Sequence, residues 1–354
     1  MKLWLSLAFF FALAAPAVCQ STSSQALPQP PSAASIAQAT APPAPPSEQM
    51  RDAGQRPPAP GPGTVSGGSA ADYNADTTTT IVKTVNEVNL VFTVSDRHGH
   101  FIKDLKRDDI KVLDDNKPAA IASFSSQTDL PLRVGLLIDA SSSIRDRFRF
   151  EQAAAIEFLN QIIRPRSDEA FVLGFDSVSE ITQDFTDDTN QLAHGIRMLR
   201  PGGGTALFDA IYEASKTKLA TARAEVPTRR AIILLSDGED NQSRVTREQA
   251  IEMAQRAEVI IYAISTNISG IKTRGDKVLE RFAETTGGRV FFPAKLDEVA
   301  QAFSQIQDEL RSQYAVAYKP VEFIADGRFH TIAIESSRKG LRIRSRRGYY
   351  APKQ

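Results

Sequence analysis

Two hydrophobic patterns divide the chain. From Glu87 to Ser95 apolar and polar positions alternate with a period near two, as in a strand with one buried and one wet face. Similar short segments run over Asp109–Leu113 and Ala119–Ser125, and return at Ala315–Lys319, Phe329–Glu335 and Leu341–Arg347. Between these two groups the apolar runs become continuous. Arg133–Asp139, Ala170–Phe175, Arg230–Ser236 and Val259–Ser265 read as strands buried on both faces. Ser179–Thr182 and Arg289–Phe292 read as shorter strands. Helical segments separate them: Arg147–Ile163, Asn190–Leu199, Thr205–Ala222, Thr246–Ala257, Gly275–Thr285 and Leu296–Ser312. In the first, Phe150, Ala154, Phe158 and Ile162 form the expected apolar stripe. Strand alternating with helix predicts an α/β fold, a doubly wound parallel sheet with helices on both faces. The flanking strands would leave open edges if each group stood alone. They are therefore expected to pair into one β-sandwich (77–130 and 314–352), with the α/β domain (131–313) inserted between its N- and C-terminal strands.

Turn chemistry punctuates the pattern. His98-Gly99-His100 and Asp326-Gly327 read as hairpin turns, and Gly287-Gly288 as a helix stop. Asp114-Asp115-Asn116 lacks the spacing of a calcium loop and reads as a turn. His98 and His100 lack an evident third ligand, so a solvated hairpin tip is preferred to a metal site.

The N-terminus follows neither pattern. Lys2 precedes an uncharged apolar run, Leu3–Ala15, and small residues follow at Ala14, Ala15 and Ala17. This predicts a signal peptide over 1–19, too short for a comfortable membrane span. Val18 before Cys19 argues against a lipid anchor. Residues 20–76 are rich in Pro, Ala, Ser and Gln, a composition that cannot bury enough apolar surface to offset chain entropy. They are expected to form a disordered linker, either a spacer from the cell envelope or a tolerated tail. The chain is thus expected to be exported, to the periplasm or to the outside and cell surface.

Composition narrows the chemistry. The 354 residues hold 42 Lys and Arg against 42 Asp and Glu, so the basic excess of a nucleic-acid binder is missing. One Cys excludes a disulfide framework and a Cys-based zinc cage. After residue 20 no second long apolar stretch suggests a transmembrane segment.

Three loops carry the candidate chemistry. Asp139-Ala140-Ser141-Ser142-Ser143 ends the first buried strand, Gly202-Gly203-Gly204-Thr205 precedes a helix, and Ser236-Asp237-Gly238-Glu239-Asp240 ends another buried strand. Ligands of open parallel sheets bind at the carboxyl ends of strands, so the three can converge. Carboxylates and hydroxyls are hard oxygen donors, suited to Mg²⁺ or Mn²⁺ rather than zinc or copper. Simple N-capping would explain Ser143 but not one consistent donor set on three loops.

With these loops in place, residues from about Leu132 to Leu310 resemble a von Willebrand factor A domain, whose fold is a Rossmann-like α/β sheet. The mature chain resembles bacterial secreted proteins related to it, supported by Ile121-Ala-Ser-Phe124 and Arg346-Arg-Gly-Tyr-Tyr350. The resemblance implies a metal-ion-dependent adhesion site with all five positions present: Asp139, Ser141, Ser143, Thr205 and Asp237. It implies Mg²⁺ (or Mn²⁺ or Ca²⁺) as cofactor and binding as the role, the ion bridging to a carboxylate of an unidentified protein partner. A scaffold subunit of a cell-envelope complex is the alternative. A metal-dependent hydrolase would need a base, with Glu239 and Asp240 nearest, and the sequence lacks Gly-x-Ser-x-Gly, phosphate-loop and His-Glu-x-x-His motifs. The basic run Arg338–Arg347 is expected to be a solvated, edge-protecting strand face, with a polyanion stripe as alternative.

Overall fold

The first strands among the described residues are β1 (Val88–Ser95), β2 (Ile110–Asp114) and β3 (Lys117–Ser126). It then alternates: β4 (Leu132–Asp139), α1 (Phe148–Ile162), β5 (Glu169–Phe175), β6 (Ser179–Thr186), α2 (Thr189–Met198), α3 (Leu207–Glu213), β7 (Arg229–Ser236), α4 (Arg247–Arg256), β8 (Val259–Ser265), α5 (Arg274–Thr286), β9 (Val290–Phe291) and α6 (Leu296–Leu310). A π-helical segment, Ala214–Leu219, extends α3. β10 (Gln313–Lys319), β11 (Phe329–Ser336), β12 (Arg342–Ser345) and β13 (Gly348–Tyr350) close the chain. This computed structural model describes residues 87–126, 130–145, 147–220, 228–267 and 269–353. The expected signal peptide (1–19) and linker (20–76) lie outside the described residues. So do Thr77–Asn86 of the first β segment and the last two positions of the helix expected over Thr205–Ala222. Among the described residues no helix is long and apolar enough to cross a membrane.

β4 to β9 form one six-stranded sheet in the order β6-β5-β4-β7-β8-β9. All its pairings are parallel except that of the edge strand β6, which runs antiparallel to β5. Side chains alternate between its two faces, which explains why the central strands read as unbroken apolar runs. Val134, Leu136 and Ile138 face a core shared with Phe158, Leu192 and Phe303 of α1, α2 and α6. Leu137, Ile232 and Leu234 face a second core with Leu207, Ala250 and Phe282 of α3, α4 and α5. The doubly wound α/β reading is therefore what the chain adopts.

The apolar stripe of α1 differs from the expected one. Phe150 is 37% exposed and Ala154 is only partly buried, whereas Phe148, Glu151, Ala155, Phe158, Leu159 and Ile162 face inward. An unbroken i+4 series drifts by about 40° per step and winds off the face of a 3.6-residue helix. The mixed i+3 and i+4 series keeps to it.

The remaining strands form a seven-stranded antiparallel sheet in the order β12-β1-β10-β3-β2-β11-β13. Strands from both flanks interleave: β10 lies between β1 and β3, and β2 pairs with β11. The sheet curls, bringing β11 near β12 and enclosing Leu90, Phe92, Val112, Val316 and Tyr318 in its own core. This is the sandwich-like module, with the α/β domain inserted in its sequence.

Two turns depart from the hairpin reading. Gly327 has a left-handed φ of 75°, yet β10 and β11 are not neighbours; Asp326 bridges to Lys353 instead. Gly99 (φ 89°) closes a local Ser95–Phe101 bridge, while β1 finds its partners in β10 and β12. Local turn chemistry sets the bend, and long-range pairing selects the partner. Asp115 and Asn116 do form a tight left-handed turn, with φ of 46° and 62°.

The basic run Arg338–Arg347 is a solvated edge face only in part: Lys339, Arg342 and Arg347 are exposed on or beside the edge strand β12, whereas Arg344 and Arg346 turn inward. Arg344 Nη1 donates to Glu309 Oε1 of α6 at 2.7 Å, and Glu309 is fully buried. Arg346, 8% exposed, donates to Asn89 O at 2.6 Å and to Glu258 at 3.3 Å. Arg347 reaches Glu284 at 2.7 Å. These arginines fasten the antiparallel sheet to the α/β domain.

Two measurements check this fastening. Gly287 ends α5 at φ 91°, and a Cβ there would lie 2.5 Å from Arg346 N. Gly287→Ala combines left-handed strain with a backbone collision and should lower unfolding free energy by at least about 2 kcal/mol in urea titrations. Arg344→Met leaves Glu309 buried and unpaired. A loss of roughly 2 kcal/mol is expected, below the value for a fully buried pair because Arg344 is partly solvated, and Glu309→Leu in the same chain should recover most of it.

Candidate metal centre

The carboxyl ends of β4 and β7 lie side by side, with Ile138 in register with Leu235. This places Asp139 beside the Ser236-Asp237 turn. Asp139 is fully buried; its Oδ1 accepts from Ser141 N at 2.9 Å and its Oδ2 from Ser236 Oγ at 2.8 Å. The first bond is the Asx turn that an Asp-x-Ser sequence favours. It swings the loop into a short 3₁₀ turn, Ser142–Ile144, and sets the hydroxyls of Ser141 and Ser143 2.9 Å apart. Ser143 Oγ in turn donates to Asp237 Oδ2 at 3.3 Å. Four of the five expected residues are thus joined in one hydrogen-bonded chain.

Thr205 arrives on the glycine loop. Gly202 N donates to Ala140 O at 2.7 Å, and Ser142 Oγ to Gly203 O at 3.2 Å, tying this loop to the serine loop. Thr205 N donates to Asn241 Oδ1 at 3.0 Å, and Thr205 O accepts from Asn241 N at 2.9 Å, tying it to the loop that carries Asp237. Gly203 has φ 64°, and a Cβ there would meet Ser177 Oγ at 2.8 Å, so the close approach requires glycine. Thr205 is buried beneath the junction.

The pit is graded from inside to outside. Asp139, Ser141 and Thr205 are buried, Asp237 is half-buried, and Ser143 is exposed. Burial pushes the Asp139 carboxyl up to about 6; bonds from Ser141 and Ser236 oppose the rise, and the charge of Asp237 adds to it. The donors are oxygens of two carboxylates and three alcohols, a set that fits a hard divalent ion.

Several contributors escaped the sequence reading. Ser236 orients Asp139 and also accepts from Gly238 N at 3.0 Å. Ser177, just after β5, receives Gly204 N at 2.8 Å, and its position beyond a buried strand was the available signal. Asn241 locks Thr205. Glu151 of α1 is buried and within the electrostatic reach of Asp139 and Asp237. The two acids named as bases for hydrolysis are engaged in shaping loops. Asp240 Oδ2 accepts from Phe208 N at 3.1 Å and from Ser243 Oγ at 2.5 Å, and Glu239 Oε1 from Gly275 N at 3.2 Å.

Histidines form no part of this centre. His100 pairs with Asp96 at 3.1 Å on an exposed turn. Among the described residues Asp114, Asp115 and His330 form another group spaced closely enough for an ion. Its oxygens already serve the sheet: Asp114 accepts from Tyr318 and Tyr349 hydroxyls at 2.9 and 3.2 Å, and Asp115 from Thr331 N at 2.8 Å, with His330 Nδ1 2.8 Å from its other oxygen. Burial, then the Asp114 charge, holds both tyrosine hydroxyls well above their usual range.

A family model of the von Willebrand factor type A domain matches residues 134–306. No curated protein sequence matches the chain. Among solved structures, proximal thread matrix protein 1 from the mussel byssus is similar at 17% identity and a TM-score of 0.46, over 56% of this chain and 51% of that one. Another structure of that mussel protein has a zinc-occupied MIDAS motif. The PilB minor pilin of Streptococcus sanguinis is similar at 14% identity and a TM-score of 0.42, over 52% of this chain and 62% of that one. The vWF domain of the type V pili tip protein Mfa5 of Porphyromonas gingivalis is similar at 16% identity and a TM-score of 0.41, over 51% of this chain and 94% of that one. The chain thus spans about half the length of the mussel protein. The family match runs over the strands and loops that build the site: residues 134–306 form a von Willebrand factor type A domain.

Proposed function

We propose that the chain is an exported, metal-dependent protein-binding module of the adhesion type. Asp139, Ser141, Ser143, Thr205 and Asp237 would hold one divalent cation, Mg²⁺ in preference to Mn²⁺ or Ca²⁺. The observation that carries this reading is the hydrogen-bonded run from Ser141 through Ser143 to Asp237, with the glycine loop of Thr205 tied to both neighbouring loops, open to solvent on the side of Ser143 and Asp237. Mg²⁺ takes six oxygens at about 2.0–2.1 Å, and neutral hydroxyls quench its charge poorly. The bound ion supplies a Lewis-acidic position that a carboxylate of a partner protein takes from water. The five side chains would hold the ion through their oxygens. The apolar run of the first nineteen residues supports export to the periplasm or the cell surface.

Titration calorimetry with Mg²⁺ or Mn²⁺ tests the site: one ion should bind the wild-type chain and none Asp139→Ala, with the far-ultraviolet circular dichroism unchanged. Equal binding by the variant would remove the proposal. Capture of partners from envelope extracts should be lost on adding EDTA. Capture that survives EDTA would favour a scaffold instead.

Metal removal also has a pH signature. The folded-state pKa of Asp139, about 6, lies above its unfolded value, so the folded chain holds this proton more tightly. The resulting stabilisation is complete below about pH 4 and disappears as pH rises through 6, a change of about 3 kcal/mol from the two-unit shift. In EDTA the melting temperature should therefore fall between pH 4 and 6.5, and Mn²⁺ should restore it most strongly at the upper end. A flat profile in EDTA would contradict this account of Asp139.

A further inference from the structure

Glu151 occupies a position in α1 where the helix otherwise presents apolar groups. It lies one turn into the helix, on the inward stripe with Phe148 and Ala155, and is 2% exposed. Its Oε2 is buried without a hydrogen-bond partner. An ionised carboxylate left so is strongly unfavourable, and a core position of this kind ordinarily takes a hydrophobe.

The charged groups that face it come from three places. Arg147 lies one turn earlier on the same chain segment, Asp139 ends β4, and Asp237 follows β7. Burial first, then the two aspartates, push the Glu151 carboxyl up to about 7, against the pull of Arg147. Glu151 thus shares the field of both acids of the proposed metal centre. Around an empty pit its charge is repelled on that side. Around a filled pit the same charge is attracted, and the orphaned oxygen gains a use as acceptor for ion-bound water.

We propose, building on the metal reading above, that Glu151 is a third acidic residue of this centre, a positioning residue that steadies the divalent cation through its bound water from the inner side of the pit. This gives the serine-loop helix a direct part in ion affinity beyond bringing its loop to the sheet.

The test uses the full chain and the probe ion Mn²⁺, with calorimetry for affinity and thermal melts in EDTA and in excess Mn²⁺. Glu151→Gln should weaken Mn²⁺ binding about tenfold, as removal of an outer-shell ligand partner does. In EDTA the same variant should melt above the wild type, because a buried repulsive charge has gone, and its rise on adding Mn²⁺ should be smaller. A purely structural glutamate would instead lower the melting temperature in EDTA and leave ion affinity alone. Glu151→Asp keeps the charge but draws it back by one methylene, and should weaken affinity measurably, by about two- to threefold. If Glu151→Gln fails to fold, this variant decides: affinity lost to the level of Asp139→Ala, or unchanged to within error, overturns the inference. Wild-type uptake of Mn²⁺ with unchanged affinity in Glu151→Gln also overturns it, leaving the five-residue centre standing. Absence of uptake by the wild type overturns both.

Discussion

The structure around the pit answers one electrostatic constraint. Asp139 and Asp237 carry like charges at the carboxyl ends of neighbouring parallel strands, β4 and β7. Each charge raises the cost of the other. The chain holds them there with directed donors: Ser141 N and Ser236 Oγ on Asp139, Ser143 Oγ and Glu239 N on Asp237. Each donor belongs to a loop whose course is set by the strand before it. The sheet register thereby becomes the geometry of the site.

Hydrogen bonding alone leaves the site unevenly satisfied. Burial pushes the Asp139 carboxyl up to about 6 against the bonds from Ser141 and Ser236 that favour its charge. The glycine loop is drawn in by backbone bonds from Ala140, Ser142 and Asn241, which bring Thr205 under the same junction without adding charge. A site of two acids and several alcohols, buried at Asp139 and open at Ser143, is where the proposed hard cation would lower energy.

The opposite side of the molecule solves a different problem. A seven-stranded sheet assembled from both ends of the chain has to stay with the domain inserted in it. Arg344, Arg346 and Arg347 do this by reaching Glu309, Glu258 and Glu284. Because Glu309 lies on α6, which leads directly into β10, the last helix of the α/β domain is held to the sheet both covalently and by charge.

Local sequence determined much of this. The switch from alternating to continuous apolar runs identified the α/β unit, because a parallel strand buried on both faces has no wet side to encode. The three oxygen-rich loops were legible because each directly follows a buried strand or precedes a helix. Tertiary structure alone decided the rest. Asp326-Gly327 bends the chain as its chemistry demands, yet strand partners are chosen across more than two hundred residues. Arg344 and Arg346 read as solvated because charge usually is; their acids, Glu309 and Glu258, are supplied by elements of the α/β domain. Glu151 lies on the inward face of α1, which a stripe read by i+4 steps misses. Its meaning depends on which residues the folded sheet sets opposite it, and no local pattern carries that information.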